Sequence, residues 1–208
     1  MLSDGFHDIP RGRVAAVVTH LEMRRPPALR TPRFPEGVIL REVTAPDATW
    51  YRDLFTRVGG QDWLWFSRLG LAQDALQAIL DDPGVRVFAV EKAGRAEGLL
   101  ELDFREAGAC ELAYFGLTAS LIGKGVGRAL MDAAINTAWG EEIERFHVHT
   151  CTLDSPQALG FYIRSGFTPL RQQIEIAPDP RLTGALPRSA GPHAPILDET
   201  DPTASGQL

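Results

Sequence analysis

Cysteine is scarce in this 208-residue chain. Cys110 and Cys151 are the only two and form no CxxC or metal-ligand spacing, so neither a disulfide scaffold nor a cysteine-built metal centre is expected. Both read as small core residues of a reducing compartment. No apolar run approaches the roughly 18 residues of a membrane span, and the first residues lack a basic-then-apolar leader pattern. A cytoplasmic location without a membrane partner is the expectation. Charge of one sign is not abundant either: 21 Lys plus Arg against 27 Asp plus Glu give a net charge of −6. That balance argues against nucleic acid as a partner and tolerates a cationic one.

Two nucleotide signatures are missing as well. Lys124 is followed by Gly125, with no Ser or Thr after it, so the Gly-x-x-x-x-Gly-Lys-Ser/Thr loop of mononucleotide enzymes is not formed. The glycines at 123, 125 and 127 run G-x-G-x-G, whereas the dinucleotide fingerprint needs G-x-G-x-x-G.

What is present is a strand-like run at 111–117 that passes through Thr118, Ala119 and Ile122 into Gly123-Lys124-Gly125-Val126-Gly127-Arg128 and an amphipathic helix. Glycines at a strand-to-helix turn leave backbone N–H groups unobstructed. A helix N-terminus adds unpaired donors and a positive dipole end, so the turn suits a phosphate or pyrophosphate.

The rest of the chain reads as one α/β domain between two extensions. Residues 1–36 hold an edge strand at 13–23 and a Pro-rich connector that can be neither helix nor central strand. Residues 37–176 follow the order β-α-α-β-β-β-turn-α-β-α-β. A strand at 38–43 precedes a helix at 48–57, which Gly59-Gly60 ends. Asp62 then caps a second helix at 63–80. Trp63 and Trp65 cannot share one face of that helix, which leaves one of them near a surface or pocket. A three-strand meander at 86–91, 97–105 and 109–118 leads to the glycine turn and a helix at 124–139. A strand at 145–150, a helix at 157–164 begun by Ser155-Pro156, and a strand at 167–176 complete the domain. Residues 177–208, rich in Pro, Gly, Ser and Asp, read as an extended or disordered tail.

A second motif lies about 30 residues beyond the glycine turn: Ser155-Pro156-Gln157-Ala158-Leu159-Gly160-Phe161-Tyr162-Ile163-Arg164-Ser165-Gly166-Phe167. With the first it resembles the GNAT superfamily of acyl-CoA-dependent N-acetyltransferases, whose pattern is Gln/Arg-x-x-Gly-x-Gly/Ala followed by Asn-x-x-Ala-x-x-x-Tyr-x-x-x-Gly-Phe. The resemblance covers 38–176. It implies a mixed, mostly antiparallel sheet flanked by about four helices, here with an extra N-terminal strand and an irregular tail. It implies acetyl-CoA as co-substrate, an amine acceptor and direct attack in a ternary complex, and it is compatible with a homodimer. Leu117, Thr118, Ala119, Ile122, Gly123, Lys124, Gly125, Val126, Gly127, Arg128 and Ser155 fall at cofactor-binding positions. Ile122 stands where the family has Gln or Arg, and Ser155 where it has Asn.

By the same resemblance Tyr162 is the general acid and the backbone N–H near Leu117 serves the oxyanion. Glu111 falls where several members carry a base, and even spacing puts it on one strand face with Ala113, Phe115 and Leu117. Glu101, Asp103 and His149 remain rival bases; His147 shares a face with His149. None of these has metal-ligand spacing, so no metal is expected. A non-catalytic acyl-CoA-binding module, and a phosphate-binding protein unrelated to CoA, are the alternative classes. The second leaves the Ala158–Phe167 motif unexplained.

Overall fold

The computed structural model of the chain describes residues 3–198. Its centre is the expected meander: β3 (Val85–Lys92), β4 (Arg95–Asp103) and β5 (Ala109–Leu117). After β5 the chain enters helix α4 (Val126–Ala138) and returns as β6 (Arg145–Cys151), parallel to β5 as such a crossover requires. Helix α5 (Ala158–Arg164) then leads to β7 (Thr168–Pro178). With β1 (Arg13–Met23) and β2 (Val38–Glu42), these strands form one sheet ordered β2-β3-β4-β5-β6-β1-β7.

The N-terminal strand is therefore not at an edge. β1 pairs antiparallel with β6 from Val18↔Cys151 to Met23↔Phe146, and with β7 from Arg13↔Pro178 to Glu22↔Thr168. The physical reason lies in its side chains. Val14, Ala16 and Val18 are buried on one face and Leu21 and Met23 on the other, and a strand apolar on both faces belongs inside a sheet. β7 takes the edge instead.

Helix α1 (Ala48–Phe55) starts at Asp47, whose carboxylate accepts the N–H groups of Thr49 and Trp50 at 2.9 and 3.1 Å. Gly59-Gly60 does not break it. The helix continues through a π turn at Thr56–Gly60 into a last turn, α2 (Gln61–Trp63). The expected helix at 63–80 is confined to α3 (Gln73–Leu80). Its first half is irregular because Leu64, Trp65 and Phe66 are drawn into different places. Leu64 and Phe66 join the cluster of Val14, Leu153 and Leu186, while Trp65 joins that of Phe55 and Val58. Three consecutive side chains cannot diverge so from one helical face, and Leu64 takes a left-handed backbone, φ +54°, to achieve it.

Apolar side chains are buried on both faces of the sheet. On one face α4 and α5 bury Leu100, Leu102, Leu112, Leu130, Phe146 and Val148. On the other, α1 and α3 bury Tyr51, Leu54, Phe55, Leu76 and Leu99, all 0% exposed. Each such aliphatic or phenyl side chain contributes about 1.5–3 kcal/mol over an exposed one.

The chain after β7 is irregular, as the resemblance implied, and through residue 198 it packs on the domain; the last ten residues of the expected extended or disordered tail lie outside those described. Arg181 and Asp179 form an ion pair at 2.7 Å with side chains only 1% exposed. The same guanidinium donates to the carbonyls of Ala190, Gly191 and Ala194. One buried cation thus satisfies carbonyls that no helix or strand would. Leu186 and Ala190 pack with Leu64 and Leu153.

Candidate active site

β5 and β6 pair only at Ala109↔Arg145, Cys110↔Phe146 and Glu111↔His147. Beyond that point they separate, and a β-bulge is the cause. Leu102 faces Leu112 but Glu101 faces Tyr114, so Ala113 is an extra residue in β5 that bends the strand away from β6. The bulge also reverses the alternation. Glu111 shares a face with Tyr114 and Gly116, whereas Phe115 and Leu117 lie on the opposite face with Leu112. The expected single face of Glu111, Ala113, Phe115 and Leu117 is not formed. The gap between the strands is a cavity of about 350 Å³.

The backbone along this gap is unpaired on one side. Leu117 lies opposite Gly98, and the Thr118 N–H donates to the Glu97 carbonyl at 2.9 Å. The alternation of an antiparallel ladder therefore turns the N–H and C=O of Leu117, and of Phe115 two residues earlier, away from β4 and into the gap.

At one end of the gap stands the glycine turn. Gly123 and Gly125 both have φ +78°, and a Cβ at either would meet nothing within 4 Å. Glycine is required there for backbone conformation, and the approach to the backbone is clear. α4 begins directly after Gly125 with no side-chain cap, leaving its first N–H groups for a ligand. Lys124 folds back, its Nζ donating to the Ser120 carbonyl at 2.6 Å.

Of the expected cofactor positions, Leu117, Ile122, Gly127 and Ser155 line the cavity. Ile122 is 56% exposed at its rim. Val126 is buried in the core and offers only its backbone. Ala119 is exposed on a short 3-10 turn, and the Thr118 hydroxyl donates to Glu97. Arg128 points elsewhere, its Nε 3.5 Å from Asp132.

Tyr162 lines the cavity beside Ser155. Its ring meets Phe115, Phe161 and Phe167 at centroid distances of 6.3, 5.9 and 6.0 Å. Burial, with the nearby charge of Asp154, pushes its phenol well above the ordinary tyrosine value. Across the gap His149 lines the cavity, and its Nδ1 lies 3.2 Å from Oε1 of Glu111, which stands behind it. That hydrogen bond raises the imidazole pKa and lowers the carboxyl pKa. The rival carboxylates are engaged elsewhere. Glu101 is fully buried between the Tyr51 hydroxyl and the Arg68 guanidinium, and Asp103 is held by Arg105. His147 lies 3.7 Å from Glu106, and burial lowers its pKa.

The spacing of Trp63 and Trp65 points one of them toward a surface or pocket; Phe66, Ser67 and Tyr114 carry no such signal. Trp63 and Trp65 both line the cavity, with Phe66, Ser67 and Tyr114. Asp154, directly before Ser155-Pro156, is the anchor of the far wall. Its Oδ2 accepts from the Thr150 hydroxyl and the Cys151 N–H, and its Oδ1 from Trp65. Among the described residues no group of three His, Cys, Asp or Glu is placed to hold a metal, and no helix is long and apolar enough to cross a membrane.

The chain is similar to known proteins. Over 174 residues the chain is 25% identical to a mycothiol acetyltransferase of Jonesia denitrificans, covering 80% of this chain and 54% of that one. It thus spans about half the length of this curated relative. A GCN5-related N-acetyltransferase from Sphaerobacter thermophilus superposes with a TM-score of 0.59 at 18% identity, covering 81% of this chain and 52% of the other. One from Kribbella flavida gives 0.53 at 18% identity, covering 83% and 63%. At such identities the likeness concerns the fold. The sequence model of the acetyltransferase (GNAT) family matches residues 48–167, and the chain belongs to that family.

Proposed function

We propose that this chain transfers an acetyl group from acetyl-CoA to a primary amine by direct attack in a ternary complex. The observation that carries the reading is the gap opened by Ala113. It brings the free backbone of Phe115 and Leu117, the Tyr162 side chain and His149, which Glu111 holds, onto one cavity, with the glycine turn at its end.

The glycine turn and the start of α4 fit a pyrophosphate, through backbone donors and the helix dipole. The inward-facing N–H and C=O groups of Phe115 and Leu117 fit an extended amide-bearing arm that adds to β5 as a strand would. The Leu117 N–H is the donor assigned to the oxyanion as the amine attacks the thioester carbonyl.

The attacking amine must lose a proton. His149 takes it, with Glu111 as the positioning residue that holds Nδ1. The departing thiolate must gain one, and Tyr162 gives it. A phenol raised by burial stays protonated at neutral pH. A thiolate in the same apolar surroundings is raised too: the Cys151 thiol in the cavity wall is pushed up to about 11 by burial. The two proton affinities therefore rise together.

Two measurements test the reading. Thermal unfolding with acetyl-CoA should move upward, and thiol release from acetyl-CoA should depend on an added primary amine. No shift at millimolar acetyl-CoA overturns the donor assignment. A shift without amine-dependent thiol release leaves a non-catalytic acyl-CoA-binding module in its place.

A further inference from the structure

The two faces of the sheet divide the cavity. Phe115, Leu117 and Tyr162 belong to the α4–α5 face, where the donor is placed. The acceptor half is built on the other face by the irregular segment after α2, by Tyr114, and by His149 and Glu175. Its character is aromatic: Trp63, Trp65, Phe66 and Tyr114 all border it. Trp65 and Tyr114 meet at 5.4 Å, and Trp65 packs on Phe55 at the same centroid distance. These rings are fixed in place.

Three polar groups of this wall, on Trp65, Asp154 and Tyr114, are bonded within the protein. The Trp65 indole N–H donates to Asp154, both Asp154 oxygens are taken, and the Tyr114 hydroxyl is bonded to Ser67. A sugar or polyol amine entering here would lose water from many hydroxyls and find few partners. A flat apolar body needs none and gains ring contacts. Glu175 borders the cavity and is exposed, and its carboxylate makes no hydrogen bond or ion pair among the described residues. It supplies an attraction for a cationic amine before that amine loses its proton.

Resting on the acetyl-transfer reading above, we propose that the acceptor is a primary amine carried on an aromatic body, with Trp63 and Trp65 holding the ring and Glu175 drawing the ammonium group toward His149. Residues 61–67, α2 and the irregular segment after it, are the specificity-determining wall. It is itself held by the C-terminal region: Gly191 N–H donates to the Gln61 carbonyl at 2.8 Å, and His193 lies 5.6 Å from the Trp63 ring.

The test compares phenethylamine and tryptamine with ethanolamine, putrescine and glucosamine, reading thiol release by the full chain at saturating acetyl-CoA. The aromatic amines should show kcat/KM at least about tenfold above the others. Trp63→Ala should remove most of that preference while leaving the acetyl-CoA thermal shift unchanged. Equal or better turnover of glucosamine or putrescine overturns the aromatic assignment and leaves acetyl transfer standing. Acetyl-CoA binding with no turnover of any amine overturns both.

Discussion

The indole N–H of Trp65 donates to Oδ1 of Asp154 at 2.9 Å, joining segments 89 residues apart across the cavity. Asp154 also accepts from Thr150 and Cys151, so one carboxylate ties the end of β6 to the aromatic wall. Asp154→Ala leaves three donors without their acceptor and should cost about 3 kcal/mol, whereas Trp65→Phe loses one charge-assisted bond, about 1.5 kcal/mol. Urea unfolding of the two variants checks the order.

Trp65 sits in a slot made by two glycines. A Cβ on Gly59 would fall 2.0 Å from its ring, and one on Gly116 would fall 2.9 Å from it and 2.5 Å from Val58. Gly116→Ala should destabilise the fold by about 1–3 kcal/mol through overpacking. It should also shift tryptophan emission and raise the KM for the amine, with the acetyl-CoA thermal shift retained.

The His149–Glu111 pair sets a pH dependence. Glu111 raises the imidazole above 6.5, and the base form is neutral, so the rising limb of kcat/KM should lie above that pH. Glu111→Gln removes the cause and should move the limb to lower pH while lowering the maximum. An unmoved limb takes the base role from His149. For stability the signs differ. The raised histidine contributes fully below 6.5 and loses its contribution as pH climbs through its folded value. The lowered Glu111 contributes above 4.5 and loses its contribution as pH falls. The pair thus stabilises most between those two values, which thermal melts of the parent against Glu111→Gln will show.

Tyr162→Phe should lower kcat about a hundredfold, the usual order for a general acid, and leave KM for acetyl-CoA near the parent value. Full turnover in this variant assigns the proton to another donor.

Arg181→Ala should cost about 3–5 kcal/mol, because it strands the Asp179 carboxylate in the interior and frees buried carbonyls. Denaturant midpoints measure it.

Local chemistry made much of this molecule readable. The meander, the glycine turn and the helix after it follow from runs and turns within a few residues, and Tyr162 lies where its motif puts it. The features that escaped depend on distant partners. The Ala113 bulge is invisible in β5 alone, since it exists only in register with β4. The wall from Leu64 to Phe66 mimics a helix until Gly191, whose Cβ would fall 2.3 Å from Leu64, shows what packs against it. Glu111 fell on the unexpected face for the same reason: one extra residue inverts a period of two.

The position of β1 has a consequence for synthesis. Val17 and Thr152, joined by a hydrogen bond, are 135 residues apart, and β1 leaves the ribosome long before either strand that flanks it. Until β6 and β7 emerge, a strand apolar on both faces has two bare edges, a form prone to wrong pairing. Sheet closure therefore waits until β7 has been made, and the sheet cannot form strand by strand in the order of synthesis. A stalled or truncated nascent chain would present β1 to chaperones as its principal sticky segment.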